Sequence, residues 1–477
     1  MVDILIENGI LVSMNPSREL IEDGAIAVDG DTILEIGLTD DLSGKYDADK
    51  IIDASNMVVM PGLFDGHAHA GHSLLKSLGV HNGTWYEACE LIYSQASDID
   101  FWKADALLTN LERLKSGTTC GVSFLGGGDS VMRVDDPNFA EAHCDAAEMI
   151  GVRTFLAVGP RRPPYPRKYS RWSGDSRRDY MVEFDEMMDN TRTIINKNNG
   201  RSNGRINIAV MFPTPHPEVK PITGVVLEDL KRQASEVYQM SRENYLMFTQ
   251  DGHTRGTVKF CVEKLGILGS NSLLSHSTEL TAEEIKICKD MEISIAHNPS
   301  AVASILKRCP VPELIDAGVK VALGSDAAGP DRSYDMFRHM FQAMRYHRRY
   351  YRDARVLPPG KVLEMCTIDA AKAFGIGDYT GSLEKGKKAD IILVDMRKPH
   401  LQPQNMPVDR LTYFANGSDV DTVIVDGQVL MENRVVKHID EEQILDLANE
   451  QIELAIQRSG LDKLFELTEN YWGHSRY

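Results

Sequence analysis

The pattern of apolar and polar positions changes twice along the chain. Over residues 1–57, short runs of alternating apolar and polar residues are separated by turn signals such as Asn8-Gly9 and Asp29-Gly30, which is typical of a small β unit. From residue 58 to about residue 385, apolar strands alternate with longer segments of helical periodicity. After residue 386 short strands return, and Asp426-Gly427 is a hairpin signal between two of them.

The middle region predicts a parallel (β/α)8 TIM barrel, because it contains eight alternations of strand and helix. In this fold the active site lies at the carboxyl ends of the strands. The region is longer than the ~250 residues typical of the fold, so long loops are expected at 70–100, 125–137 and 159–180. The eight predicted strands are Val58–Phe64, Cys120–Leu125, Arg153–Val158, Ile206–Phe212, Tyr245–Thr249, Ser272–Ser275, Ile293–Ala296 and Val319–Gly324.

The strands at the two chain ends are predicted to combine into one composite β-sandwich domain, so that the whole chain is an α/β protein. The simplest division of the chain has four segments. These are 1–57 and 386–440 for the two parts of the composite β domain, 58–385 for the barrel, and 441–477 for a helical C-terminal extension.

Composition and charge narrow the range of functions. The 477 residues are 42% hydrophobic and 26% charged, which is ordinary for a soluble globular protein. With 52 basic and 70 acidic residues the net charge is −18, which argues against general binding to nucleic acids or anionic membranes. The seven cysteines contain no Cys-x-x-Cys, and no apolar run approaches the ~20 residues of a membrane span. The first residues are typical of a strand and not of a signal peptide, so a cytoplasmic location is expected.

Histidine and aspartate residues follow several predicted strands. His67 and His69 come after the first strand, and because residues two apart in a strand point the same way, both imidazoles can bind one metal ion. A His-x-His pair is weak by itself, and a single strand-end histidine is usually only packed in the core. Here five of the eight strands end in such residues, which makes coincidence a poor explanation. The other four ends carry Gln250, Asp251 and His253; His276; His297; and Asp326.

Two imidazoles, a carboxylate and a solvent molecule suit Zn²⁺ or a similar divalent ion with an open catalytic position. Such an ion lowers the pKa of bound water to about 7. Asp326 is predicted to bind the ion and to carry the water proton to a leaving nitrogen, while His276 orients the water or polarises the substrate. The sequence therefore predicts a metal-dependent hydrolase. A rival interpretation is a non-catalytic relative that keeps the barrel as a scaffold.

The motifs around these residues resemble those of the metal-dependent amidohydrolase superfamily, in the branch that contains triazine hydrolases and nucleobase deaminases. This resemblance implies the barrel with its composite β domain and hydrolysis of non-peptide carbon–nitrogen bonds. Strand 4 ends without the modified lysine that bridges two ions in some relatives, so one divalent ion is expected, Zn²⁺ first, with Fe²⁺, Mn²⁺ or Co²⁺ as alternatives. The matching segments are Pro61–His69, Gly117–Thr119, His276–Glu279, Ala296–Pro299, Gly324–Ala328, Asp335–Phe337, Thr367–Ala371 and Gly381–Ile391.

Strand 5 departs from this family pattern, which is usually a metal-binding His followed three residues later by a Glu. Here Gln250 stands at the His position and His253 at the Glu position. Either Gln250 or His253 is expected to complete the metal shell, and His253 is favoured because imidazole suits zinc better. In the deaminases that Glu protonates the substrate ring. Its loss favours an amide, urea or carbamate-like bond of a small aryl or heterocyclic compound; the alternative is a deaminase releasing ammonia from a purine, pyrimidine or triazine, with Asp251 as a substitute acid.

Three further residues are candidates for contacting a small-molecule substrate: His297 after strand 7, Trp85 in the segment after strand 1, and Arg161 in the basic, aromatic loop after strand 3. For the loop, a solvated surface or a subunit contact is an equally good interpretation, and aromatic residues at helical spacing more often belong to a core. A homo-oligomer, dimer or larger, is expected from the resemblance.

Overall fold

A computed structural model describes residues 1–128, 130–461 and 463–476. Strands from the two chain ends form one nine-stranded sheet, in which β5 pairs in parallel with β1 and antiparallel with β16. This pairing confirms that one β domain is built from both ends of the chain. The strands are β1 (Val2–Val12), β2 (Leu20–Asp29), β3 (Thr32–Leu38), β4 (Ala48–Asp53), β5 (Met57–Pro61), β16 (Ile391–Asp395), β17 (Val420–Val425), β18 (Gln428–Glu432) and β19 (Val435–Val436).

Eight parallel strands form the predicted barrel, with a hairpin of two further strands inserted after the third. The first and last barrel strands are joined by backbone hydrogen bonds from Gly66 to the Leu323 carbonyl (2.7 Å) and from Asp326 to the His67 carbonyl (2.8 Å). The barrel strands are β6 (Leu63–Asp65), β7 (Thr118–Phe124), β8 (Arg153–Val158), β11 (Ile206–Met211), β12 (Phe248–Gln250), β13 (Ser272–Ser275), β14 (Ser294–His297) and β15 (Val321–Leu323); β9 (Arg167–Ser173) and β10 (Ser176–Val182) form the hairpin.

The helices lie mainly between the barrel strands, and their ends carry ordinary capping signals. Thr281 and Glu284 form a capping box at the start of one helix, and Gly151 ends another in the left-handed conformation that glycine favours. Among the described residues, no helix combines the length and apolar character needed to cross a membrane. The α-helices are Thr39–Ser43, Trp85–Leu91, Ile99–Lys115, Pro137–Ile150, Phe184–Asn198, Arg201–Gly204, Gly224–Glu243, Thr257–Phe260, Ala282–Asp290, Pro299–Ser304, Val311–Asp316, Met336–Tyr351, Pro359–Met365, Ile368–Ala373, Pro407–Tyr413 and Glu441–Ser459; π-helical segments are Ile92–Ala96 and Cys261–Leu265, and 3₁₀ segments are Pro399–Leu401 and Gly417–Asp419.

The structure divides the single strand predicted at Val58–Phe64. Its first half is the end of β5 in the sheet domain, and its second half is β6 in the barrel. The chain crosses between the domains at Gly62, where an added Cβ would lie only 2.0 Å from the Thr119 hydroxyl oxygen. Glycine is therefore required at the crossing, and one apolar run serves two sheets.

A buried ion cluster ties the barrel to the sheet domain. Arg153 on β8 donates to Asp426 at 2.6 Å and to Asp390 at 3.1 Å, and the three side chains are at most 5% exposed. Removal of one partner from a buried ion pair leaves uncompensated charge and typically costs about 3–5 kcal/mol. Arg153→Met is therefore expected to lower the free energy of unfolding by about that amount, measured by urea denaturation.

The matched control is Arg192→Met, which removes ion pairs with Asp189 and Glu236 on the protein surface. Exposed pairs contribute about 0–1 kcal/mol, so this variant should unfold close to the wild type. Equal losses for the two variants would contradict the stabilising role of the buried cluster.

Candidate active site

Five side chains meet at the carboxyl ends of the barrel strands. His67 and His69 follow β6, Asp251 follows β12, His276 follows β13, and Asp326 lies three residues beyond β15. One oxygen of Asp251 is 3.3 Å from Nε2 of His67 and 3.2 Å from Nε2 of His276. One oxygen of Asp326 is 3.3 Å from Nε2 of His69 and 3.5 Å from the Nε2 atoms of the other two histidines. The five residues are called the His/Asp cluster below.

The donor atoms of the cluster fit a divalent metal ion. Potential ligand atoms of His67, His276 and Asp326 all lie within 4.8 Å of one another, and so do those of His67, His69 and Asp251. Nε2 of His67 is buried and has no hydrogen-bond partner among the described residues, which is costly unless a ligand completes it. Imidazole nitrogen and carboxylate oxygen are suitable ligands for Zn²⁺ and its neighbours.

Neighbouring groups fix the orientation of the cluster. Nδ1 of His69 donates to the Gly126 carbonyl at 3.1 Å, which directs the Nε2 lone pair toward the carboxylates. The Ser275 hydroxyl donates to Asp251 at 2.7 Å, and the Asn298 amide hydrogen-bonds with Nδ1 of His276 at 3.3 Å. Metal-binding side chains typically have such supporting hydrogen bonds, which set the tautomer and the ring orientation.

Asp65 links the two strands that carry His67 and Asp326. Its carboxylate accepts hydrogen bonds at 2.8 Å from the backbone and the hydroxyl of Ser325 and from Arg113, in a fully buried environment. This network holds the end of β6 against the end of β15. The role of Asp65 was not recognised in the sequence, although the residue lies inside the Pro61–His69 motif.

The charges in the cluster shift the pKa values of its members. Burial raises the pKa of Asp251 and of Asp326, but the positive charges of His67 and His276, respectively, outweigh it and hold both pKa values well below the usual range. Burial likewise lowers the pKa of His276, and the charges of Asp326 and Asp251 outweigh it and raise that pKa to about 10. Both carboxylates therefore stay ionised because positive charge lies beside them. A bound cation would supply positive charge at the same place.

A cavity of about 460 Å³ opens onto the cluster. His72 forms one part of its wall; its ring stacks on His69 at a centroid distance of 5.1 Å, and its Nδ1 hydrogen-bonds with the Tyr93 hydroxyl at 2.9 Å. The rest of the lining includes both apolar side chains and an arginine. Besides members of the cluster it includes His72, Trp85, Tyr86, Ile305, Leu306 and Arg332.

The two strand-5 candidates make their side-chain hydrogen bonds to residues outside the His/Asp cluster. Gln250, the last residue of β12, donates to the Pro213 carbonyl at 3.3 Å. His253 hydrogen-bonds through Nδ1 with the Thr257 hydroxyl at 2.9 Å, and no group of potential ligands among the described residues includes it. Asp251 contacts the histidines instead, because it is the first residue after the strand and turns into the barrel mouth. The sequence places Asp251 at this strand end, but its predicted role there is that of a substitute acid and not of a metal ligand.

The three substrate candidates have different surroundings. Trp85 lines the cavity. His297 is buried, with its Nε2 3.3 Å from Nε2 of His347, and Arg161 forms an ion pair with Glu90 and contacts the Tyr169 ring. Neither His297 nor Arg161 is among the described residues that line this cavity.

The comparisons with known proteins agree with the fold. The amidohydrolase family model matches residues 58–430, and the chain belongs to this family. It is therefore a hydrolase of the class that acts on carbon–nitrogen bonds other than peptide bonds.

Two relatives align over nearly their full length. A 5'-deoxyadenosine deaminase of Methanosarcina acetivorans is 30% identical, with 96% of this chain and 100% of the relative covered. A 5-methylthioadenosine/S-adenosylhomocysteine deaminase of Thermoanaerobacter pseudethanolicus is 28% identical over the same shares. Both are named as deaminases, which is the alternative activity considered from the sequence.

Solved structures show the same fold at lower identity. A zinc-bound adenosine deaminase from Xanthomonas campestris superimposes with a TM-score of 0.80 at 22% identity, covering 96% of this chain and 99% of the other. A zinc complex of atrazine chlorohydrolase from Arthrobacter aurescens has a TM-score of 0.74 at 21% identity, covering 94% and 100%. The TIM barrel with an attached β domain is therefore confirmed.

Proposed function

We propose that the His/Asp cluster holds one divalent metal ion, with Zn²⁺ as the favoured one. The protein would use this ion to hydrolyse a non-peptide carbon–nitrogen bond of a small aryl or heterocyclic compound. His67, His69, Asp251 and Asp326 would hold the ion. When bound, the ion supplies Lewis acidity that activates water and polarises the carbon under attack. The observation that carries the proposal is the convergence of three Nε2 atoms and two carboxylates within 3.2–3.6 Å contacts.

Asp326 is the residue proposed to transfer protons, and His276 is the residue proposed to orient the reactants. Asp326 would take a proton from the attacking water and return it to the leaving nitrogen, because its carboxylate is ionised and faces the cavity. His276 would orient the water or the substrate. Both residues adopt the left-handed backbone conformation (φ +60°), which is uncommon for residues other than glycine and is found at functional sites.

The substrate bond favoured by this geometry is an amide, urea or carbamate. Asp251 contacts His67 and His276, and its low pKa keeps it ionised. It is therefore poorly suited to protonate a ring nitrogen, and a substrate whose carbonyl can be polarised directly needs no such acid.

Deamination of a purine, pyrimidine or triazine is the second candidate. It is supported by the full-length similarity to relatives named as deaminases. Screening the zinc-loaded protein against amides, ureas, carbamates and aminoheterocycles, with ammonia detection and mass spectrometry in parallel, separates the two. Conversion of an amide, urea or carbamate to its acid or amine favours the first candidate, and replacement of an exocyclic amino group of a heterocycle by oxygen, with release of ammonia, favours the second.

Removal of the metal is expected to abolish turnover. Dialysis against a chelator should reduce activity to background, and addition of one equivalent of Zn²⁺ should restore it, since the proposed reaction depends on the Lewis acidity of the ion. Metal analysis of the purified protein accompanies the assay. Activity that persists at full rate in metal-free protein would contradict the proposal, and protein that neither retains nor binds metal would favour the non-catalytic scaffold.

We also propose a cytoplasmic location and a homo-oligomeric state. All seven cysteines are buried and unpaired, which suits a reducing compartment. Size-exclusion chromatography with light scattering measures the oligomeric state directly.

A further inference from the structure

Arg332 lies in the wall of the active-site cavity, six residues after Asp326. Its side chain is only 5% exposed, and its guanidinium is 3.7 Å from Asp326. Among the described residues it donates one hydrogen bond, from Nη1 to the Gly329 carbonyl at 3.2 Å, and its buried Nε has no partner.

The guanidinium of Arg332 makes fewer hydrogen bonds and ion pairs than a buried cation normally does. Arginine carries five N–H donors, and buried polar groups are normally satisfied. The nearest carboxylates are those of Asp326 at 3.7 Å and Asp331 at 3.6 Å, both longer than a hydrogen bond, and Asp331 is half exposed. In the proposed metal-bound site the charges of Asp251 and Asp326 are offset by the divalent ion. The positive charge of Arg332 then has no close, buried counter-ion.

We infer that Arg332 binds an anionic oxygen group of the substrate, a carboxylate or an ionised ring hydroxyl, carried close to the carbon that is attacked. Guanidinium matches such a group with two parallel hydrogen bonds. The short distance from Arg332 to Asp326 places this group near the reacting end of the substrate. Trp85, Ile305 and Leu306 line the same cavity and suit an apolar remainder. This inference deepens the proposed function and rests on it.

The test uses benzoate and nitrobenzene, which have nearly the same shape and differ in charge, and neither of which carries an amide, urea or carbamate bond. Each is titrated calorimetrically into the zinc-loaded full-length protein, and the ratio of the two dissociation constants is compared among variants. The wild type is expected to bind benzoate about 10-fold more tightly or better. Arg332→Gln should bring the ratio to about 1, and Arg332→Lys should retain part of the preference. Arg338→Gln, at an exposed position on the helix Met336–Tyr351, is the matched control and should behave as the wild type.

A ratio in Arg332→Gln equal to that of the wild type would overturn the inference, because the carboxylate would then be bound by the ion or elsewhere. Absence of any preference for benzoate in the wild type would overturn it as well. Zinc content is measured in the same samples. Zinc present without a charge preference counts against Arg332 alone, whereas failure to bind zinc would overturn the proposed function together with this inference.

Discussion

Asp326→Asn is expected to lower kcat by about 10⁴-fold, the largest effect of a single substitution at this site. The amide keeps an oxygen for the ion but cannot accept the proton from water or deliver it to the leaving nitrogen. Arg332 lies 3.7 Å from Asp326, beyond hydrogen-bond distance, so the substitution breaks no hydrogen bond between these two side chains. The fold should persist, since the backbone N–H of residue 326 still donates to the His67 carbonyl.

Steady-state kinetics with metal content and circular dichroism on the same samples check this prediction. Ser325→Ala is an informative comparison, because it removes a hydroxyl that contacts Asp65 and not the metal site. It should retain activity within about 100-fold, as is usual for supporting groups. Residual activity above a few per cent in metal-loaded Asp326→Asn would contradict the proton-transfer role.

Asp251→Ala is expected to have the second large effect, on zinc affinity. Its result tests whether Asp251, at the end of strand 5, is a metal ligand. Loss of this carboxylate removes a contact to each of His67, His69 and His276, so we expect affinity for Zn²⁺ to fall at least about 100-fold and activity to follow it. A competition titration against a chromophoric chelator gives the affinity without depending on turnover.

The neighbouring variants Gln250→Ala and His253→Ala are the matched controls. Their side chains hydrogen-bond with Pro213 and Thr257, so zinc affinity should change by less than about 10-fold in both. If His253→Ala loses zinc and Asp251→Ala retains it, the ligand expected from the sequence is the correct one and the Asp251 assignment is wrong.

The barrel could be predicted because its strands are buried apolar runs of ordinary length. Arg153–Val158 and Ser272–Ser275 were predicted with the bounds that the structure shows. The division of the run Val58–Phe64 could not be predicted, since both halves are apolar and the crossing at Gly62 is set by tertiary contacts such as the one with Thr119. Most of the hairpin Arg167–Val182 falls in the predicted loop 159–180, because its many charged residues conceal two strands with exposed faces.

The part of the candidate site that could be predicted consists of the residues placed directly by the ends of the barrel strands. His67, His69, His276 and Asp326 converge because each follows a parallel barrel strand. Strand 5 was harder, because a single residue of difference in where β12 ends decides whether residue 250, 251 or 253 faces the barrel axis. Arg332 was missed for another reason. It lies six residues beyond Asp326, in a segment whose return to the cavity depends on tertiary packing.

The central claim is that His67, His69, Asp251 and Asp326 bind one catalytic divalent ion. A crystal structure of the zinc-loaded protein, with anomalous scattering recorded at the zinc edge, tests it most directly. The account predicts one strong peak within about 2.0–2.2 Å of Nε2 of both histidines and of an oxygen of both aspartates. A peak bonded to His253 or Gln250 and not to Asp251, or no peak in the barrel mouth, would contradict it.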